Sequence, residues 1–230
     1  MSGVSRPVIS AQDGPHPRLI AVVRRHLATP SRAPIPAHTR DAFEQVAARL
    51  AREPTWPIVL DSGCGTGAST RALAVAHPKA WVIGIDRSAA RLARGPLGSP
   101  TTMPPNLVIV RAEVAAFWRL ARAAGWRLWR HFLLYPNPWP KPEHLMRRWH
   151  GHPAFADLLA LGGEICLRTN WRVYAEEFAL ALNAAGHQAT LMRVDATAPP
   201  MSPFEAKYLA SAQVLIELRA ALESVERGLP

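Results

Sequence analysis

Asp61, Asp86, Glu113 and Asn137 each follow closely on a short apolar run, and Gly63, Gly65 and Gly67 come directly after the first of them. Alternating glycines let a backbone take positive φ and come close to a ligand. A helix starting there adds unpaired N–H groups aimed at that ligand. The spacing is G-x-G-x-G, which differs from the dinucleotide-binding G-x-G-x-x-G. Asp86 lies roughly 20 residues beyond the glycines, the separation at which an acid can accept the hydroxyls of a ribose. Its alternative role is a solvated helix N-cap ahead of Ser88-Ala89-Ala90. Glu113 has two readings of the same kind, a contact to an adenine amino group or a plain helix-start acid.

Tyr135-Pro136-Asn137-Pro138-Trp139-Pro140-Lys141 is the second chemically suggestive stretch. Prolines on both sides of Asn137 fix the backbone and push it out of helical geometry. An apolar strand that ends in so stiff a loop aims its side chains. Trp139 has a face on which a base can stack, and Lys141 can reach a phosphate. The alternative for Trp139 is an anchor that pins the proline loop to the core.

These residues need strands to carry them. Ile58–Leu60, Trp81–Asp86, Leu107–Val110, Leu128–Tyr135, Glu164–Thr169, Gln188–Val194 and Val214–Leu218 read as strands. Helical spacing occupies residues 18–27, 39–52, 68–76, 88–94, 114–123 and 171–182, with shorter stretches around Leu145 and over 155–159 and another short helix between the last two strands. Residues 95–105 form a turn-rich loop. Alternating strands and helices predict an α/β fold, a mainly parallel seven-stranded sheet with helices on both faces. In such sheets ligands lie beyond the carboxyl ends of the strands, where Asp61, Asp86, Glu113 and Asn137 all fall.

The 230 residues suit one such domain, over 38–230, preceded by a Pro- and Arg-rich basic arm over 1–37. Arg18, Arg24, Arg25 and Arg32 would give the arm a nucleic-acid-binding character; the alternative is a solvated helix packed on the domain. The chain carries 27 Lys+Arg against 17 Asp+Glu, and its pI is about 10.9. Nearly all the cations are arginines, which bind phosphate in bidentate fashion and stack on bases. RNA or DNA is therefore the expected partner, unless the arginines reflect coding bias alone. No apolar run approaches a membrane span, and no secretory signal is visible. Cys64 and Cys166 make neither a disulfide framework nor a zinc motif, and His150-x-His152 lacks neighbouring acids or thiols. The expectation is a cytoplasmic protein, monomer or homodimer, with no metal and no membrane contact.

The glycine loop with its preceding acid resembles that of methyltransferases that use S-adenosylmethionine. The second half of the chain is more specific. Pro136-Asn137-Pro138-Trp139-Pro140-Lys141, then His144, Arg147-Arg148 and Phe155, is similar to the P-D-P-W-x-K…RR…F block of the bacterial tRNA (guanine-N7)-methyltransferases. Leu161-Gly162-Gly163-Glu164, Thr169-Asn170-Trp171, Tyr174-Ala175-Glu176 and Ser202-Pro203-Phe204-Glu205 resemble that family's later G-G, T-D-W…YAE and T-x-[YF]-E segments. The likeness runs over about residues 57–210.

That resemblance implies a Rossmann-like class I methyltransferase fold, S-adenosyl-L-methionine as cofactor and RNA, in particular tRNA, as partner. It implies cofactor contacts at Asp61, Ser62, Gly63, Gly65, Gly67, Asp86, Arg87, Glu113 and Asn137, with Asn137 as the catalytic position. It places Trp139, Lys141, Asn170, Ser202, Phe204 and Glu205 around the acceptor guanosine. Three positions depart from the family pattern: Asn137 and Asn170 replace acids, and Ser202 replaces a threonine. Guanine N7 has a free lone pair, so no proton need leave before it attacks a sulfonium methyl. The step depends on positioning and desolvation. An amide keeps one acceptor oxygen but loses the charge and adds a donor. Two rivals therefore stand beside tRNA guanine-N7 transfer. One is a same-fold methyltransferase for a nucleobase amine or small molecule; Asn-Pro-x-Trp resembles the Asn-Pro-Pro-Tyr/Trp loop of amine methyltransferases, one residue short. The other is a non-catalytic RNA-binding paralogue.

Overall fold

Short apolar runs bounded by Gly and Pro become the buried strands of one sheet. A computed structural model describes residues 5–29, 31–95 and 103–222. Residues 1–4 and Pro30 of the expected arm, 96–102 of the expected loop and 223–230 lie outside the described residues. The strands are β1 (Ile58–Ser62), β2 (Trp81–Asp86), β3 (Leu107–Arg111), β4 (Leu128–Leu134), β5 (Gly163–Thr169), β6 (Thr190–Arg193) and β7 (Ile216–Leu222). The helices are α1 (Leu19–Ala28), α2 (Ala37–Leu50), α3 (Ala68–Ala76), α4 (Ala89–Leu92), α5 (Val114–Ala123), α6 (Phe155–Ala160), α7 (Arg172–Ala184) and α8 (Pro203–Ala210). Two 3-10 turns, Pro142–Arg147 and Trp149–Gly151, follow β4.

The sheet order is β3-β2-β1-β4-β5-β7-β6. β1 to β5 are parallel, and β7 runs antiparallel to both β5 and β6. From β1 the chain first builds outward to β3, then returns to lay β4 and β5 on the other side. The switch point therefore falls between the carboxyl ends of β1 and β4. The glycine loop and the proline loop flank it.

The seven-stranded mixed sheet matches the expected class, and most boundaries fall within a residue or two. Two elements differ. α4 covers only Ala89–Leu92 of the expected 88–94. β7 reaches Leu222, because its pairing with β5 continues from Thr169↔Ile216 to Gly163↔Leu222. The run Arg219-Ala220-Ala221 has little strand propensity of its own, so the ladder overrides it.

The larger core layer packs Phe43, Val46, Phe117, Trp118, Phe155, Leu158, Tyr174 and Phe178 on one face of the sheet. α1 belongs to this layer: Leu19 and Val23 are fully enclosed, and Arg18, Arg24 and Arg25 face outward. The opposite face carries a smaller cluster under α3, with Val59, Leu73, Ala74, Val82 and Phe132. No helix among the described residues is long and apolar enough to cross a membrane.

Gly84, paired with Asp61 across β1 and β2, lets α3 sit this close. A Cβ there would stand 2.6 Å from Thr70 Oγ1 and 2.8 Å from Thr70 Cγ2. Gly84→Ala should cost about 1–3 kcal/mol of stability through overpacking and displace Thr70 from Asp61. A lowered denaturant midpoint with unchanged slope would show the effect.

Candidate active site at the switch point

The first half of the site is the turn between β1 and α3. Gly63, Gly65 and Gly67 have φ of +79, +62 and +80°. In that left-handed region an L side chain is strained. At Gly63 and Gly65 a Cβ would meet nothing within 4 Å, so the turn presents bare backbone to open space. Gly67 is the N-cap of α3 and makes no side-chain cap bond.

Asp61 is 1 % exposed. Its Oδ2 accepts from Ser69 Oγ and Thr70 Oγ1, both at 2.7 Å. Its Oδ1 is buried without a hydrogen-bond partner. Burial raises the carboxyl to about 6 against the two stabilising hydroxyls, and the nearby Asp86 charge pushes the same way. A buried carboxylate oxygen with no donor suits a cationic or N–H-bearing ligand group.

Asp86 is buried too, which removes the solvated-cap reading. Its Oδ2 accepts from Gly65 N–H at 2.9 Å and its Oδ1 from Ser88 N–H at 2.7 Å, and Ser88 itself caps α4. Asp86 thus shapes the glycine turn and keeps further lone pairs for a ligand hydroxyl. Arg87 is exposed. Glu113 is the N-cap of α5 without a side-chain cap bond, and its N–H donates to Thr39 Oγ1. The Ser62 hydroxyl turns into the core, where Trp118 Nε1–H donates to it at 2.9 Å and His131 Nε2 lies 2.8 Å away. Burial pushes His131 down to about 3, so its ring stays neutral. Only the Ser62 backbone is left to a ligand.

The second half is the loop after β4. Tyr135 and Trp139 both take left-handed φ, +54 and +46°, at a cost of order 1–3 kcal/mol each for non-glycine residues. Asn137 is exposed and its Oδ1 accepts from Trp139 N–H at 3.3 Å. Trp139 is half-buried, with His144 against its edge and the Arg147 guanidinium 4.8 Å from its ring centre. Lys141 is exposed beyond it.

What holds this strained loop is Arg148, which has no exposed side-chain surface. Its Nε donates to Trp139 O and its NH2 to Lys141 O, both at 3.2 Å. Its NH1 donates to Glu177 Oε2 at 2.6 Å, and its plane lies over Trp171 at 4.8 Å. Glu177 is fully saturated. Oε1 accepts from Gln12 Nε2 and His16 N–H, and Oε2 from Arg148 and His150 Nε2. Burial alone would raise Glu177, yet bonds from His150, Arg148 and His16 hold it at about 2. Its contribution to stability is therefore complete above pH 4.5 and lost as pH falls toward 2.

Neither Arg148 nor Glu177 stands out by spacing as a site residue. The signal was an acid on the apolar stripe of α7, where Glu177 lies with Val173, Tyr174, Phe178 and Ala181; an acid there needs a buried cationic partner.

Asn170, one residue past β5, donates through Nδ2 to Gln213 Oε1 at 2.9 Å. In α8, Ser202 is the N-cap and accepts from Glu205 N–H. Glu205 is 1 % exposed and binds Arg168 at 2.6 Å. Its second oxygen and the Tyr135 hydroxyl are both buried without a sound hydrogen-bond partner. Burial, and then the Glu205 charge, push the phenol well above its ordinary range. Ser202 and Glu205 thus serve the helix and the ion pair, and Phe204, 44 % exposed and stacked on Tyr208, is the open face of this segment. Among the described residues, no group of His, Cys, Asp and Glu could hold a metal ion.

A seven-stranded sheet of this order, with a glycine turn after β1 and acids at the ends of β1 and β2, is the Rossmann-like class I methyltransferase fold. The chain belongs to the family described as "Putative methyltransferase", whose model matches residues 55–217. It is 32% identical over 160 residues to the tRNA (guanine-N(7)-)-methyltransferase of Photobacterium profundum, covering 66% of this chain and 64% of that protein. With the enzyme of the same name from Leifsonia xyli subsp. xyli it shares 28% over 161 residues, 66% of this chain and 70% of that one. The chain thus spans just under two thirds of the first relative's length. Among solved structures, an antibiotic-related methyltransferase aligns with TM-score 0.56 at 13% identity, covering 78% of this chain and 93% of that one. The antibiotic-resistance methyltransferase Kmr aligns with TM-score 0.52 at 20% identity, covering 79% and 93%. At such identities the likeness is one of fold.

Asp61 gives this site a pH signature. Its folded pKa of about 6 lies above its ordinary 3.8, so the folded state takes up the proton first and gains stability as pH falls. Relative to an Asp61→Asn variant, the ligand-free protein should gain about 1–1.5 kcal/mol between pH 7 and pH 5. Urea titrations of both proteins across that range measure the difference.

Proposed function

We propose that the protein transfers the methyl group of S-adenosyl-L-methionine to guanine N7 in RNA, with tRNA as the natural acceptor, in the cytoplasm. The observation that carries this reading is the pairing of two halves across one switch point. On one side are an open glycine turn and a buried, half-unpartnered Asp61; on the other is a strained proline loop that displays Asn137, Trp139 and Lys141. The relatives named tRNA (guanine-N(7)-)-methyltransferase support the choice of acceptor.

In this reading Asp61 Oδ1 receives the cofactor's amino-acid end, the turn N–H groups lie along it, Asp86 accepts its ribose, and Glu113 lies toward its base. The cofactor supplies an electrophilic methyl on a sulfonium. The chain's part is to bind, orient and dry the two reactants. Asn137 Oδ1 is engaged by Trp139 N–H, so its Nδ2 is the group that faces outward and can donate to a guanine carbonyl. Trp139 and Phe204 offer faces to the base, and Lys141 and Arg147 offer charge to the phosphates. We also propose that residues 38–230 form the catalytic domain, with α1 of the preceding 1–37 segment packed into its core and the arginines of that helix turned outward.

The test is transfer of tritiated methyl from S-adenosylmethionine to unmodified bulk tRNA, with the nucleoside identified by mass spectrometry. The expected product is 7-methylguanosine; a methylated amino nitrogen would instead assign the acceptor to an exocyclic amine. Asn137→Asp should lower the rate, because aspartate keeps the Trp139 contact but replaces the outward amide donor with a charged oxygen facing the guanine carbonyl. Asp86→Ala should weaken cofactor binding more than tenfold in calorimetry, losing ribose hydrogen bonds of about 1.5–3 kcal/mol each.

A further inference from the structure

Residues 5–16 cross the proposed acceptor side of the molecule, and their contacts are made by neutral groups. Ser5 N–H donates to Ser211 Oγ, and Ser5 O accepts from Gln213 Nε2 at 2.8 Å, both just past α8. Ser10 Oγ donates to Pro140 O at 2.6 Å. Gln12 reaches between Glu177 and Arg148, donating to the first at 2.6 Å and accepting from the second at 3.0 Å. His16 N–H ends the crossing on Glu177.

We infer that this N-terminal segment is a working wall of the acceptor site, in which Ser10 and Gln12 position the loop carrying Asn137 and Trp139 while Ser5, through Gln213, sets the direction in which Asn170 presents its amide. The inference rests on the acceptor reading above and adds the residues that give the acceptor side its shape.

Three consecutive loop carbonyls are held by side chains. Trp139 O and Lys141 O go to Arg148, and Pro140 O goes to Ser10. Proline lacks an N–H, so this stretch has few backbone donors with which to fix itself. Trp139 itself, and Tyr135 ahead of the loop, sit at positive φ and relax unless held. Ser10 is itself directed, because its Oγ accepts from Gln12 N–H at 3.0 Å and so turns its proton to Pro140. Gln12 in turn fixes the guanidinium that holds the flanking carbonyls.

The Asn170 orientation follows from a chain of donors and acceptors. A carbonyl can only accept, so Ser5 O requires the Nε2 side of Gln213. Gln213 then turns Oε1 toward Asn170, which answers with Nδ2. The Asn170 Oδ1, with no hydrogen bond among the described residues, is left to face a ligand as an acceptor. It is oriented for an N–H donor such as guanine N1–H or its amino group. An aspartate at 170 would meet Gln213 Oε1 oxygen to oxygen and force Gln213 to release Ser5.

Ser10→Ala, Ser10→Thr and Gln12→Ala test this in the full chain labelled with 5-fluorotryptophan, the Trp139 resonance being assigned with Trp139→Phe. We expect Ser10→Ala and Gln12→Ala to shift or broaden the Trp139 fluorine signal. They should also lower kcat on tRNA at least tenfold, with cofactor Kd within twofold of wild type. Ser10→Thr, which keeps the hydroxyl, should restore both. An unmoved Trp139 signal overturns the inference, and so does an unchanged kcat in an active enzyme. If the wild type methylates no RNA while the signal still moves, the acceptor reading falls and the wall stands. Asn170→Asp should lower kcat/KM for tRNA about tenfold; a rise overturns the assignment of Asn170.

Discussion

The buried pair of Arg148 and Glu177 is the interaction on which the proline loop after β4 depends. Two charges removed from water incur several kcal/mol of desolvation each, and their attraction offsets that only when every remaining donor and acceptor is met. Here both carboxylate oxygens have two donors each, and Arg148 has acceptors on three sides and an aromatic face beside it. The pair adds little net stability compared with an apolar core. Its value is geometric: a planar guanidinium holds two carbonyls either side of Pro140 in one arrangement. His150 completes the set as a neutral donor, since burial keeps its ring from charging despite the pull of Glu177.

The glycine-turn half follows the opposite logic. Asp61 is left with one oxygen unmet and a raised pKa in the ligand-free protein. That stored cost is what a ligand cation would relieve, so stability and binding oppose each other at this residue. Asp86 is the contrast: its carboxylate is engaged by two backbone amides and folds the turn that the ligand would meet. Two acids at equivalent strand ends thus differ: both Asp86 oxygens already accept from backbone amides, while one Asp61 oxygen is unmet.

The two asparagines make sense within these constraints. Each amide is oriented by a backbone group, Asn137 by the Trp139 N–H and Asn170 by the Ser5 carbonyl through Gln213. One therefore shows a donor and the other an acceptor. A pair of carboxylates would show acceptors only. Both amides sit in a neutral hydrogen-bonding frame, to which the N-terminal segment contributes Ser5 beside Gln213.

Much of this was legible in the chain. The apolar runs, the glycine turn and the acids at the strand ends fixed the order of strands and helices, because periodicity and turn chemistry are local properties. The proline loop announced its stiffness for the same reason. What periodicity could not reveal was the partnership of residues far apart in the chain. Gln12 meets Glu177 across 165 residues, and Ser5 meets Gln213 across 208. Nothing in a stretch such as Ser10-Ala11-Gln12 marks it as part of a site, since serine and glutamine are ordinary surface residues. Likewise Ser62 and Glu205 stand beside ligand-facing motifs, yet the packing of Trp118 and Arg168 turned them inward. Sequence determined which elements form and where their ends lie. Only the tertiary structure decided which polar atoms at those ends find a partner and which are left for a ligand, because a hydrogen bond is settled by position in space and not by order along the chain.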